Sequence, residues 1–492
     1  MTDAEDLATT TLEWSRQWWD HTEHMVWNPP GSLSADLEAR QVHLVPNTAW
    51  LAYALLAAGD EASWNEGVAA IGALLALQYD APGTVFHGTY RRFLESPDPP
   101  ANPVMWEHYD PNWRQFVGTA LAVILEDFAD RLDGEGGQVG AIEHSIGLAC
   151  AGEPDRRISP SYSNPALMRA WLDSWYGRRV GDARLLDRGR VFAAAIVADF
   201  DRFGAFDEFN SPTYYGIDVY ALRLWRGFPP DPYFADHGER LENALWRSAG
   251  DFYHANLRNY CGPFTRSYNP DATRSVTLFS LWIWARLGRE YAPLPSLDAP
   301  VVDHGHDLMA GALFARVADA PHGDDLAGFR AFGPTRQLHQ ELARGREVSA
   351  WIGPELMIGA EASGVDWGGW EQFMPATAHW QSAAGAATLW LVDAHKLRAF
   401  ASDHRLTIDV SRGSADLRFR LYSTDVPIVG GTGVTAAGMH LTFGAGVASV
   451  SVTTVGDDLY ELRATGAGAA SEIHTDIRFT EATPRATALD AS

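Results

Sequence analysis

The feature that most constrains the fold is a change of hydrophobic period within one chain of 492 residues. In the first part, Trp64, Val68, Ile71 and Leu75 step by four, three and four, and Val117, Leu121, Ile124 and Phe128 do the same. Each set forms one buried stripe along a helix. The same spacing predicts further helices at approximately 8–20, 46–58, 137–148, 165–177, 182–200, 216–227, 235–258 and 271–288, ten in all. The composition changes at Ala292-Pro293-Leu294-Pro295-Ser296, and the period then falls to two. Leu406, Ile408 and Val410 alternate with polar neighbours, as do Leu417, Phe419 and Leu421, while Val447-Ala448-Ser449-Val450-Ser451-Val452 reads as another strand. Gly430-Gly431-Thr432-Gly433 is expected to turn a hairpin. A chain of this length is more naturally two domains than one. The expected organisation is an incomplete (α/α)5–6 toroid over 1–291, an antiparallel β-sandwich over 292–482 and a flexible tail at 483–492.

A weak repeat lies in the segments before alternate helices: His43-Leu44-Val45-Pro46-Asn47, Tyr109-Asp110-Pro111-Asn112-Trp113, Tyr162-Ser163-Asn164-Pro165, Asn210-Ser211-Pro212-Thr213 and Tyr268-Asn269-Pro270-Asp271. Each pairs Asn with Pro. Capping explains one such loop, because Asn, Ser or Asp covers exposed amides and Pro fits a first turn. Five loops at hairpin intervals imply more, since helical hairpins in a ring bring alternate helix starts to one end. Fourteen of the 19 Trp residues also precede residue 300.

Lys plus Arg number 38 against 63 Asp plus Glu, a net charge of −25, which opposes capture of nucleic acid or an anionic membrane. No segment approaches the roughly 18 apolar residues of a membrane span. Cys150 and Cys261 are too few to staple the chain and neither joins a metal-ligand cluster. The acidic start Met1-Thr2-Asp3-Ala4-Glu5-Asp6 has no export pattern, so a cytoplasmic protein is expected, and a homo-oligomer is compatible with it. Phosphate-loop, nucleophile-elbow and zinc-protease patterns are absent from the sequence.

The densest polar stretch is Asp207-Glu208-Phe209-Asn210-Ser211-Pro212-Thr213-Tyr214-Tyr215-Gly216-Ile217-Asp218. Tyr214 or Tyr215 suits proton transfer there, and Asn210 suits an oxyanion or a sugar hydroxyl; a capped helix with structural tyrosines is the plainer alternative. His87, in His87-Gly88-Thr89-Tyr90-Arg91-Arg92, suits a general base or the neutralisation of a carboxylate. Arg266, in Phe264-Thr265-Arg266-Ser267-Tyr268, suits a forked bond to a uronate. Tyr90, Arg91, Trp113, Tyr162, Asn164, Asp218, Tyr268, Trp370 and His379 are the expected substrate contacts. Asp303-His304-Gly305-His306-Asp307 contains metal-ligand types but is expected to be a turn, so neither a catalytic metal nor a cofactor is predicted.

The order of parts, a helical toroid then an antiparallel β domain, together with these Asn/Tyr/His/Arg-rich loops, resembles the heparinase II/III-like and alginate-lyase-like enzymes. The resemblance covers most of the chain as architecture. It implies that Tyr or His removes the proton beside a uronate carboxylate, that Asn, His or Arg stabilises the developing charge, and that elimination breaks the glycosidic bond. By residue type and loop position it extends to Asn210, Tyr214 or Tyr215, His87, Arg266 and His379. The strong negative charge fits an oligouronide better than an external polyanion. A toroidal glycoside hydrolase with two carboxylates is one alternative, with Asp80, Glu107, Asp110, Asp207, Glu208, Asp218 and Asp271 available. A noncatalytic carbohydrate-binding protein is the other.

Overall fold

The computed structural model describes residues 1–134, 137–152, 158–318, 326–363, 365, 372–392, 397–410, 416–444, 447–466 and 473–480. It divides into two compact units: Met1–Glu208 with Pro212–Arg247 and Ala272–Asp325, and Phe209–Ser211 with Ser248–Asp271 and Leu326–Ser492. The expected architecture of helical toroid and antiparallel β domain is present. Its border differs from the expected 291/292, because two helical turns after that point pack inside the first unit. The expected tail at 483–492 lies outside the described residues.

The helices are α1 (Asp3–Arg16), α2 (Ala35–Arg40), α3 (Val45–Ala57), α4 (Glu61–Leu75), α5 (Trp113–Asp133), α6 (Gln138–Ala151), α7 (Ser163–Val180), α8 (Ala183–Phe203), α9 (Tyr214–Gly227), α10 (Pro232–Asp251), α11 (Leu278–Leu287), α12 (Gly311–Val317) and α13 (Ala327–Arg330). All ten expected helices occur. Three fall short of their expected spans at one end: α1 stops at Arg16, with Trp19–Asp20 in a strand, α10 stops at Asp251, and the run expected from 271 becomes helical only at Leu278, where Thr277 caps the Ser280 amide. None of the helices, among the described residues, is long and apolar enough to cross a membrane.

In the helical unit α3 packs on α5, α5 on α7, α7 on α9 and α9 on α11, while α1 packs on both α11 and α3. These form the inner ring. α4, α6 and α8 fold back on α3, α5 and α7. Inner helices meet neighbours all round, which is why α3 and α11 are apolar along nearly their whole length rather than along one stripe. The short helix α12 packs on α1, α3, α9 and α11. Its Phe314 stacks on Tyr220 of α9 and Trp282 of α11, and Arg316 forks onto Asp127 near the end of α5.

A small antiparallel sheet, β1 (Trp19–Asp20), β2 (Met25–Trp27) and β3 (His43–Leu44), leads into α3. In the second unit β4 (Tyr253–His254) and β5 (Asn259–Tyr260) form a short hairpin, with Arg258 at φ 48° in its turn. The main sheet contains β6 (Arg336–Leu342), β7 (Arg346–Ile352), β8 (Leu356–Ser363), β9 (Ala376–Ser382), β10 (Gly385–Val392), β11 (Leu397–Ser402), β12 (Arg405–Val410), β13 (Asp416–Tyr422), β14 (Ile428–Gly430), β15 (Gly433–Ala436), β16 (Met439–Phe443), β17 (Val447–Thr454), β18 (Leu459–Gly466) and β19 (Ile473–Phe479). The three stretches with period two are β12, β13 and β17, and Gly430–Gly433 closes the β14–β15 hairpin. The order is β14-β15-β16-β19-β12-β11-β8-β9-β10-β13-β18-β17, with β7 also on β8 and β6 on β7. Side chains from strands β15 through β17 along this path share one apolar core, so the sheet folds over itself as a sandwich, with β14 exposed at its edge.

Strands β11, β12, β16 and β19 alternate buried and exposed residues, whereas β8 is buried throughout. The second face of β8–β10 is covered within the same unit by the segment around 259–271. At Gly359 of β8 the backbones come so close that any Cβ would overlap the carbonyl of Gly262. The Gly262 amide donates to Thr377 Oγ1 at 3.1 Å.

Candidate functional site

Four of the five Asn-Pro segments lie at helix starts, but their asparagines do not cap their own helices. α3, α5, α7 and α9 all begin without a side-chain cap bond. Instead each asparagine reaches another segment. Asn47 Nδ2 donates to the His306 carbonyl at 3.1 Å, and Asn112 Nδ2 to the Tyr162 hydroxyl at 3.1 Å. Asn164 Nδ2 donates to Glu208 at 2.7 Å. Asn210 Nδ2, in the sheet unit, donates to the carbonyls of Cys261 at 2.6 Å and Pro263 at 3.1 Å. The fifth segment, Tyr268–Asp271, precedes no helix directly and belongs to the sheet unit.

In the helical unit this lacing joins the starts of α5, α7 and α9 at one end of the ring. The Ser163 hydroxyl lies 3.1 Å from Glu208 Oε2 and 3.0 Å from Asp218 Oδ2. One hydroxyl proton serves one carboxylate at a time, so Ser163 alternates between them. Glu208 also accepts from the Asn164 backbone. Both carboxylates are buried, at 5 % and 0 % exposure, and tie helix ends together rather than flanking an open cleft. This is not the arrangement of two opposed acids with a sugar between them. Partly accessible aromatic side chains gather at the same helix starts: Trp113 opens α5, Tyr162 precedes α7 and Tyr214 opens α9.

The remaining expected residues divide by environment. Tyr215 is in the core, with its ring against Phe279, and Tyr90 is fully buried with its hydroxyl on Ser145. Burial raises the Tyr90 phenol well above its ordinary value, the wrong direction for a base at neutral pH. Arg91 anchors its own loop through the Ser96 carbonyl and Asp98. His87 Nδ1 accepts from the Ala81 amide at 3.1 Å, which leaves its proton on Nε2 when the ring is neutral. That loop is held by Arg114, buried and bonded to the His87 and Val85 carbonyls.

In the sheet unit, Arg266 Nε donates to Gln372 Oε1 at 3.2 Å, and Tyr268 is 41 % exposed. Trp370 lies outside the described residues. His379 is on β9, directly across from Thr388 of β10, and its Nδ1 is 3.1 Å from the Thr388 hydroxyl. Thr388 also reaches Asp271, which accepts from Asn259 at 2.7 Å. Burial pushes the His379 pKa down to about 4, against the opposing pull of Asp271, so the ring is neutral near pH 7. His379 Nε2 has no hydrogen-bond partner and is enclosed. A buried pair, Arg346 with Glu361, lies in the same unit, with two bonds of 2.9 Å and a third from Arg346 to Thr265. Thr388, Asn259, Arg346 and Glu361 were not expected from sequence, since no local pattern marks an isolated polar residue that pairs across a sheet.

A family model described as Domain of unknown function (DUF8769) matches residues 5–319, and one described as Domain of unknown function (DUF8770) matches residues 336–483. A comparison with curated proteins gives no match. Among solved structures, heparinase III is similar at 10% identity and TM-score 0.42, over 89% of this chain and 77% of the other. The chondroitin AC lyase of Streptomyces coelicolor A3, in complex with chondroitin sulphate, is similar at 11% identity and TM-score 0.34, over 97% and 96%. An endoglucanase of Clostridium thermocellum complexed with cellotetraose is similar at 11% identity and TM-score 0.31, over 98% and 93%.

Proposed function

We propose that this chain, which belongs to the DUF8769 family of domains of unknown function, is a carbohydrate-active lyase that cleaves a uronic-acid-containing oligosaccharide by β-elimination. The observation that carries the reading is the laced end of the helical ring. Asn112, Tyr162, Ser163, Asn164 and Glu208 lock three helix starts together and set Trp113, Tyr162 and Tyr214 around that end. Fixed aromatic faces beside amides and hydroxyls suit a sugar, whose rings stack and whose hydroxyls bond.

Of the two tyrosines, Tyr214 is the proposed base, because it opens α9 half-buried while Tyr215 faces the core. It takes the proton from the carbon beside the uronate carboxylate. The C–H electrons form the new double bond, the glycosidic C–O bond breaks, and the departing oxygen takes the proton from the Tyr214 hydroxyl, which returns Tyr214 to the phenolate that began the step. His87, with Nε2–H as its donor, is the proposed partner for the uronate carboxylate in this unit.

The test is incubation with an oligouronide series, followed by ultraviolet absorbance for the unsaturated uronate and by mass spectrometry. The wild type is expected to give cleavage without added water. Tyr214→Phe is expected to lose about 100-fold or more in turnover, and Tyr215→Phe to retain it. Equal turnover by Tyr214→Phe and wild type would remove Tyr214 from the chemistry, and cleavage with water added would make the enzyme a hydrolase.

A further inference from the structure

We propose that His304, His306 and Asp307 form a binding site for one divalent transition-metal ion of the zinc class, at the end of the ring where α3 begins. The three residues stand in and just before a 3-10 turn, Gly305–Ala310, that follows His304 at φ 54°. One ligand atom from each lies within 4.8 Å of the other two. A tetrahedral ion with bonds of about 2.0–2.1 Å holds its ligands about 3.4 Å apart, so small side-chain rotations complete the approach.

Two observations separate this cluster from an ordinary polar turn. The first is the state of its buried atoms. The Asp307 side chain is only 8 % exposed, yet Oδ2 has no hydrogen-bond partner, and Oδ1 stands 3.6 Å from His306 Nε2, too far for a good hydrogen bond. His306 Nδ1 is likewise buried and unpartnered. Buried polar atoms are nearly always paired, and a buried carboxylate oxygen without a partner, beside imidazoles that each offer one ring nitrogen as a lone-pair donor, suits a cation.

The second is that the backbone beneath them is fixed. The His306 amide donates to Ser32 Oγ at 3.2 Å, its carbonyl accepts from Asn47, and the His304 amide donates to the Gly31 carbonyl at 3.0 Å. Gly305 faces Trp14 of α1 so closely that a Cβ would stand 2.8 Å from the indole. The ligands are therefore presented from a preformed frame. Two imidazoles and one carboxylate are the donor set of a borderline ion, whereas Mg²⁺ and Ca²⁺ prefer oxygen alone. A fourth position stays open for water.

The experiment uses full-length protein without a histidine tag, stripped with a chelator and then titrated with Zn²⁺ against a chromophoric competitor. One Zn²⁺ per chain is expected, with His306→Gln and Asp307→Asn each weakening it by at least about 100-fold. Saturating Zn²⁺ is expected to raise the wild-type thermal midpoint by about 3–6 °C and to leave both variants unmoved. Co²⁺ loaded into wild type is expected to show the intense visible bands of a tetrahedral site, a readout that does not depend on either variant folding. Zn²⁺ binding unchanged in both variants, uptake of Mg²⁺ as strong as that of Zn²⁺, or only the weak octahedral Co²⁺ spectrum would each overturn the assignment.

Discussion

The two units bury polar side chains under different compulsions. At the helix starts of the ring Glu208 answers the Asn164 amide, while Asn47, Asn112 and Asn164 donate to neighbouring segments and tie one start to the next. In a sheet interior the backbone already pairs with itself, and nothing obliges β8–β10 to bury Glu361, Thr377, His379 or Thr388. The polar end of the ring joins segment to segment, with the aromatic rings as the part in excess of that need. The polar layer of the sheet has to stabilise itself through its own partners, and it is the place where loss of one partner is most damaging.

Breaking the Arg346–Glu361 pair probes that difference most directly. Arg346→Met strands a fully buried carboxylate and is expected to cost about 3–5 kcal/mol in denaturant unfolding, whereas Arg346→Met with Glu361→Leu recovers most of the loss. The corresponding break in the ring is Glu208→Ala, which removes the shared acceptor of Ser163 and Asn164. About 3 kcal/mol is expected, seen as a lower urea midpoint at unchanged slope.

Acid sharpens the comparison further. His254, in the sheet unit, donates from Nε2 to the Gly353 carbonyl at 2.8 Å, and burial pushes its pKa down to about 4. Unfolded, the imidazole returns to about 6.5 and takes up a proton that the folded ring refuses. The stability it supplies is complete above about pH 6.5 and is lost as the pH falls toward 4; about 2 kcal/mol should go between pH 7 and pH 5. His254→Gln should flatten the pH dependence of the unfolding midpoint over that interval. At the other extreme, Arg240 and Asp201 pair in the open on the helical unit, 43% and 49% exposed, and Arg240→Ala should change stability by less than about 0.5 kcal/mol.

These contrasts also explain what was legible in the sequence. The stripe Val117, Leu121, Ile124, Phe128 announces α5 because one helix face recurs every three or four residues. Leu406, Ile408 and Val410 announce β12 because that strand has one wet face. β8 reads Leu-Met-Ile-Gly-Ala-Glu-Ala-Ser and carries no alternation, since both of its faces are covered. The strands that hold His379 and Thr388 were invisible for that reason. The apolar spacing of α10 runs on through Phe252 and Tyr253, yet the chain turns there into the β4–β5 hairpin, after which Gly262 lies against Gly359 of β8. The Asn-Pro loops were found by composition, while the direction in which their side chains point depends on neighbours that no local pattern specifies.

Phe314 of α12 stacks on Tyr220 and Trp282, midway along α9 and α11, so aromatic packing fills that level of the helical unit. Tyr220 lies six residues into α9, about 9 Å along its axis. Any recess at the helix starts is therefore shallow on this side, about two helical turns deep.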